Sequence, residues 1–166
     1  MKTELCCSCG ESANVIKRNH RFDDMGLPVD LLNIEVIECS HCGAIDPIIP
    51  NMDGLMKVLA IALICNPCKL NGAEIRYLRK YVGKSAREFS RYLNVDHTHL
   101  SKLENDRYEI TPRLDKLVRL IVSSMDPEIA AGAKDLVELM PNIEDCCQDQ
   151  KQEIQIDPAT QTYQYA

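Results

Sequence analysis

The chain has no tryptophan and only 2 phenylalanines and 6 tyrosines, so aromatic residues make up 5% of it. An apolar fraction of 45% still suffices for folded cores, which must be built chiefly from aliphatic side chains. No apolar signal sequence stands at the N-terminus. The longest apolar stretch, Val58–Cys65 (VLAIALIC), falls far short of the roughly 20 residues of a membrane span. Also missing are a Ser/His/Asp or Cys/His constellation and a glycine loop of the kind that cradles phosphate. No catalytic residue is therefore assigned, and the chain is expected not to be an enzyme. These absences point to a cytoplasmic protein of one to two domains with no membrane partner.

Cysteine, by contrast, is plentiful, with 9 in 166 residues. Three pairs have Cys-x-x-Cys spacing: Cys6/Cys9, Cys39/Cys42 and Cys65/Cys68. In a reducing compartment this spacing reads as metal binding rather than a disulfide framework. The first two pairs match closely, as LCCSCG and ECSHCG, each with glycine directly after the second cysteine. Glycine there lets the backbone fold back and aim N–H groups at the sulfurs. Two such knuckles supply four thiolates, the number a closed tetrahedral structural zinc site requires. We assign Cys6, Cys9, Cys39 and Cys42 as ligands of one structural Zn2+ ion. Zinc is preferred to iron because nothing else suggests electron transfer. Cys7 reads as a free thiol, and His41 and His20 as residues without a metal role.

Residues 1–54 thus form a small zinc-binding domain. Asn14–Phe22 and Leu31–Glu38 look like strands of an antiparallel sheet, separated by the breakers Asp23–Gly26 and Pro28. Without metal a segment this short would barely fold, so the ion contributes structure rather than catalysis. Residues 55–70 are a connector, with Leu55–Ile64 a continuously apolar helix. Cys65/Cys68 lacks the trailing glycine and reads as a helix terminus with two incidental thiols.

Residues 71–140 carry an apolar helical period. Ile75, Leu78 and Val82 mark one helix, Phe89 and Leu93 a second, and Leu100 and Leu103 a third. Ser85 with Glu88 makes a capping box for the second helix, and Asp96 caps the third. Asn94 stands where the chain must turn sharply, in a left-handed conformation that asparagine tolerates. Two helices joined by so short a turn make a helix-turn-helix, whose second helix can enter a DNA major groove. Thr111-Pro112 starts a fourth helix, and Asp126-Pro127 a fifth that runs to Met140. An ordinary helical bundle would show the same period, but the charge favours DNA. Residues 69–124 hold 12 Lys and Arg against 7 Asp and Glu, whereas the whole chain is at −6.

The segment EIRYLRKYVGKSAREFSRYLNVDHTHLSKLEND resembles the Cro/repressor-type (Xre) helix-turn-helix. Together with the two C-x-x-C-G knuckles it is similar to the YgiT/MqsA-type antitoxins, over about residues 4–124. The resemblance implies an α+β chain, a small zinc-bound β domain followed by an all-α, lambda-repressor-like helix-turn-helix bundle. It implies a dimeric DNA-binding repressor and an antitoxin that holds a ribonuclease-type toxin and represses its own operon at a palindromic operator. The recognition helix becomes Asp96–Asn105, with His97 and Thr98 at base edges, Lys102 one turn on, and Ser101 and His99 flanking. Ser85, Arg87, Arg91 and Arg107 become phosphate contacts, and Glu104 a local tether of the helix. Ala86 departs from the family, which often has a DNA-contacting glutamine there. Two rival expectations are a stand-alone regulator sensing zinc or redox through its cysteines, and an interaction adaptor with a degenerate helix-turn-helix. Residues 141–166 are acidic and polar and read as a disordered tail, with Cys146/Cys147 as exposed thiols.

Overall fold

The computed structural model describes residues 2–143 and 152–166. It divides into two units, with the division inside a helix, after Val58. The first unit comprises the described residues of 1–23, 28–58 and 153–166, and the second those of 24–27 and 59–152. The mixed α+β composition expected from the sequence is present, a β-sheet unit and a helical one.

The first unit is a six-stranded sheet. Its strands are β1 (Thr3–Leu5), β2 (Ser12–Phe22), β3 (Val29–Glu38), β4 (Ile45–Pro47), β5 (Ile154–Asp157) and β6 (Thr162–Tyr165). The order is β1-β2-β3-β5-β6, and β4 also pairs with β3. The two long strands fall where the sequence placed them, each beginning two residues earlier. Their imperfect alternation has a cause. Val29 and Leu31 are buried, then Ile34 and Val36, so the inward phase switches at Asn33. Asn33 has φ 50°, its N–H donates to Asn19 Oδ1 at 3.0 Å, and the β2/β3 register shifts between Arg18 and His20. A bulge with a left-handed asparagine absorbs the extra residue.

The expected disordered tail is corrected in its second part. Residues 152–166 form a hairpin whose first strand, β5, lies parallel to β3, with Asp30 opposite Gln155 and Leu31 opposite Ile156. The reason is legible in IQID: Ile154 and Ile156 alternate with polar residues, and both are buried. Asp157 Oδ1 accepts from the Ala159 and Thr160 amides at 2.9 and 3.3 Å, closing an Asx turn through Pro158. Cys146 and Cys147 lie outside the described residues.

The helical unit includes the second half of α1 (Met52–Cys65), then α2 (Gly72–Tyr81), α3 (Ala86–Tyr92), α4 (His97–Leu103) and α5 (Pro112–Met125). The apolar residues of the expected connector from Leu59 onward belong to the helical core. That core holds Leu59, Leu63, Ile75, Leu78, Phe89, Leu100, Leu103, Val118 and Val122, all fully buried or nearly so. The single fifth helix expected after Asp126 is instead broken into α6 (Pro127–Gly132) and α7 (Leu136–Leu139), followed by a 3-10 turn, Met140–Asn142. Gly132 abuts Ile61, where a Cβ would lie 2.5 Å from Ile61 Cδ1. A side chain here would have to displace the Ile61 methyl, and the glycine that avoids this is a poor helix former.

Arg119 and Asp115, both with no exposed surface, join these helices. Arg119 Nε donates to Asp115 Oδ2 at 2.9 Å. Its other nitrogens donate to the carbonyls of Ile64, Asn66 and Cys68 at 2.7, 2.6 and 2.7 Å. A cation thereby satisfies carbonyls at and just beyond the C-terminal end of α1 that the helix itself cannot. Asp115 Oδ1 in turn accepts from the Leu70 amide at 2.7 Å.

Candidate functional site

The β1–β2 and β3–β4 connections carry the two knuckles at one end of the sheet, because Asn14 on β2 pairs with Glu38 on β3. The two turns repeat one geometry. The Cys6 amide donates to Glu11 O and the Gly10 amide to Cys6 O; the Cys39 amide donates to Ala44 O and the Gly43 amide to Cys39 O. All four bonds are 2.9 Å, and Gly10 and Gly43 have φ 78° and 76°. This is the left-handed backbone for which the sequence supplies glycine.

The sulfurs of Cys6, Cys9, Cys39 and Cys42 all lie within 4.8 Å of one another. Cys6 and Cys42 are 3.5 Å apart, and Cys9 and Cys39 3.6 Å. A tetrahedral zinc with Zn–S bonds of about 2.3 Å places its sulfurs roughly 3.8 Å apart, so the donor set and spacing fit such an ion. Cys6 and Cys39 are buried and pack on Ala13, Ile37 and Ala44, while Cys9 and Cys42 face solvent. The Cys9 and Ser8 amides point at Cys6 and hold its thiol down to about 7. At Cys9 the Glu11 amide also pulls down, but burial and the three neighbouring thiols outweigh it and push the group up to about 12. Four crowded sulfurs share their protons unequally, and a cation would replace those protons. Cys7 is exposed, and neither Cys65 nor Cys68 joins the cluster; Cys68, read as an incidental thiol, is instead disulfide-bonded.

In the helical unit the caps form as read. Glu88 N–H donates to Ser85 Oγ at 3.2 Å, and Ser85 N–H to Glu88 Oε2 at 2.9 Å. The Ser85 hydroxyl also donates to Glu88, at 2.6 Å, so both Ser85 donors already face a carboxylate. The Ser85 hydroxyl and amide hold the Glu88 carboxyl below its ordinary range. Asn94 has φ 52°. Asp96 Oδ1 accepts from the Thr98 hydroxyl and amide at 2.6 and 2.7 Å, and these two bonds, hydroxyl first, depress its carboxyl.

His97, Thr98, Ser101 and Lys102 are exposed along α4, and His99 is half-buried. The Thr98 hydroxyl gives its proton to Asp96 and keeps its lone pairs, while His97 Nδ1 lies 3.6 Å from the same carboxylate. The Arg87, Arg91 and Arg107 side chains are exposed, and among the described residues none of these guanidinium groups is ion-paired. Ala86 sits at the first position of α3 and offers no polar group.

Two arrangements escaped the sequence reading. Glu104, expected to tether α4 locally, reaches back to α2. It accepts from Arg79 Nε and Nη2 at 2.6 and 2.9 Å while only 5% exposed. Arg76 donates to Glu104 O and Asn105 Oδ1 at 2.9 and 2.6 Å. Gly72 permits this docking, since a Cβ there would collide with the Leu103 carbonyl. The second is Tyr108, whose ring lies against Lys102 and His99. A tyrosine beyond the end of α4 gives no periodic signal.

A short turn, a pinned second helix and an exposed basic face define a helix-turn-helix DNA-binding module. Comparison with known families agrees: the helix-turn-helix family HTH_3, of the Xre type, matches residues 75–121. That span takes in α3, α4 and most of α2 and α5, and it does not extend to the cysteine knuckles. No curated protein and no solved structure matches the chain. Among the described residues, no helix is long and apolar enough to cross a membrane.

Proposed function

We propose that the chain is a sequence-specific transcriptional repressor that binds a palindromic operator as a homodimer and carries one structural zinc ion. The observation that carries this reading is the row of exposed residues on α4, within a stretch that matches a DNA-binding family. With α4 in the major groove, Lys102 donates to guanine O6 or N7, and Thr98, His97, Ser101 and His99 meet neighbouring base edges. Arg87, Arg91 and Arg107 take phosphates and set register without reading sequence. Ser85 is left out of this set because Glu88 occupies its donors. A dimer would read half-sites about 34 Å apart and repress by covering the promoter. Zinc held by Cys6, Cys9, Cys39 and Cys42 keeps no open position, so its contribution is to the fold.

The pairing of two C-x-x-C-G knuckles with an Xre-type module supports a finer reading. The chain is then the antitoxin of a type II toxin–antitoxin operon in the cytoplasm, neutralising a ribonuclease-type toxin and autoregulating its promoter. The decisive experiment is a band shift of the full chain with the DNA upstream of its own gene against a random duplex of equal length. A preference that Lys102→Ala weakens supports the repressor; equal binding to both duplexes removes it. Co-purification with the product of the neighbouring reading frame tests the antitoxin role separately.

A further inference from the structure

Tyr108 is 47% exposed, contributes nothing to the buried core, and yet touches two residues of α4. The Lys102 ammonium lies 4.9 Å from the centre of its ring and donates to its hydroxyl at 3.3 Å. On the same ring, the His99 imidazole stands 5.3 Å away, centroid to centroid, tilted by 42°. The backbone beneath is fixed as well. The Arg107 amide donates to Lys102 O at 2.9 Å, and Asp106 takes φ 52°, folding the chain back along the end of α4.

We propose that Tyr108 is a positioning residue of the DNA-reading surface, holding Lys102 so that its ammonium is aimed before DNA arrives. The inference rests on the reading of α4 as the recognition helix. A free lysine must surrender much rotamer freedom to make one directed contact, and a lysine already leaning on a ring surrenders less. The donor count also works. An ammonium has three N–H groups; Tyr108 takes one, and two remain for the O6 and N7 acceptors of a guanine. After accepting from Lys102, the tyrosine keeps its own O–H, a donor for an adjacent phosphate oxygen. Tyr108 thus governs which base Lys102 prefers, beyond adding to general affinity.

The test enriches a pool of random-sequence duplex DNA on the full-length protein and on the Lys102→Ala, Tyr108→Leu, Tyr108→Phe and doubly substituted Lys102→Ala/Tyr108→Leu variants. Tyr108→Leu should blur base preference at the same position as Lys102→Ala. It should also lower affinity for the selected duplex roughly two- to fivefold, the scale of an exposed cation–π contact. Tyr108→Phe, which keeps the ring and loses the hydroxyl, should fall between. The double variant should bind no worse than Lys102→Ala alone, because the two residues act as one device. The proposal is overturned if Tyr108→Leu weakens all duplexes alike with preference unchanged, or if the two losses add. A wild-type protein that selects no sequence would instead defeat the recognition-helix reading itself. Loss of preference in Lys102→Ala with none in Tyr108→Leu would sink the role of Tyr108 alone.

Discussion

Arg119 and Asp115 have no exposed surface, and either charge alone would be costly in that place. Together they satisfy one another, three carbonyls at and just beyond the end of α1, and the Leu70 amide. Arg119→Ala should therefore destabilise the helical unit by about 3–5 kcal/mol, the cost of leaving a buried partner unpaired. Urea denaturation followed by circular dichroism measures it, and adding Asp115→Ala should recover part of the loss by removing the orphaned carboxylate. Asp96 acts at the surface and through pH. Its carboxyl titrates lower in the folded chain than in the unfolded one, because the Thr98 hydroxyl and amide favour the charged form. The stabilisation is complete above the unfolded value of about 4 and is lost as pH falls through the folded one. Asparagine caps about as well as aspartate without titrating. Asp96→Asn should match the parent at pH 7 and lose this part of its acid sensitivity, read from the pH dependence of amide exchange in α4.

Elements whose signals are local were the legible ones. The caps at Ser85, Asp96 and Thr111 each act within three residues, and the left-handed turn at Asn94 belongs to one residue. The knuckles were legible for the same reason, since each closes on itself and glycine marks the turn. Elements that exist through distant partners were not. The strand β5 has two inward residues and pairs with β3 from the far end of the chain, so its four-residue alternation was too brief to stand out from an acidic, polar stretch. Arg119 is one cation on an amphipathic helix until the carbonyls 53 and 55 residues earlier are placed around it. Glu104 carries a motif's glutamate but not the identity of its partner, Arg79, which only the docking of α2 supplies. Ile156, fully buried, makes the hairpin testable. Ile156→Ala should cost the sheet about 2–5 kcal/mol, whereas a disordered tail would give no change in the sheet's thermal midpoint.

For the whole molecule the balance of charge runs against its proposed ligand, since the chain carries −6 and DNA is a polyanion. The excess of cations over residues 69–124 resolves the conflict. At physiological salt, fields between exposed charges fade over roughly 8 Å, so a phosphate responds to the cations beside it far more than to acidic groups further off. Arg87 and Arg91 on α3, and Arg107 after α4, stand ready for this, because folding engages none of their side chains in an ion pair among the described residues. Each phosphate contact releases condensed counterions, so the logarithm of affinity falls against the logarithm of salt by about 0.9 per contact. Replacing any one of these arginines by alanine should lower that slope by about one per half-site, weakening binding to selected and random duplexes alike. Lys102→Ala should differ in kind, changing base preference more than slope. The measurement is a salt titration of each variant on both duplexes. An arginine whose removal leaves the slope untouched belongs to a solvated helix face, and three such results would take the phosphate-binding surface away from α3 and the end of α4.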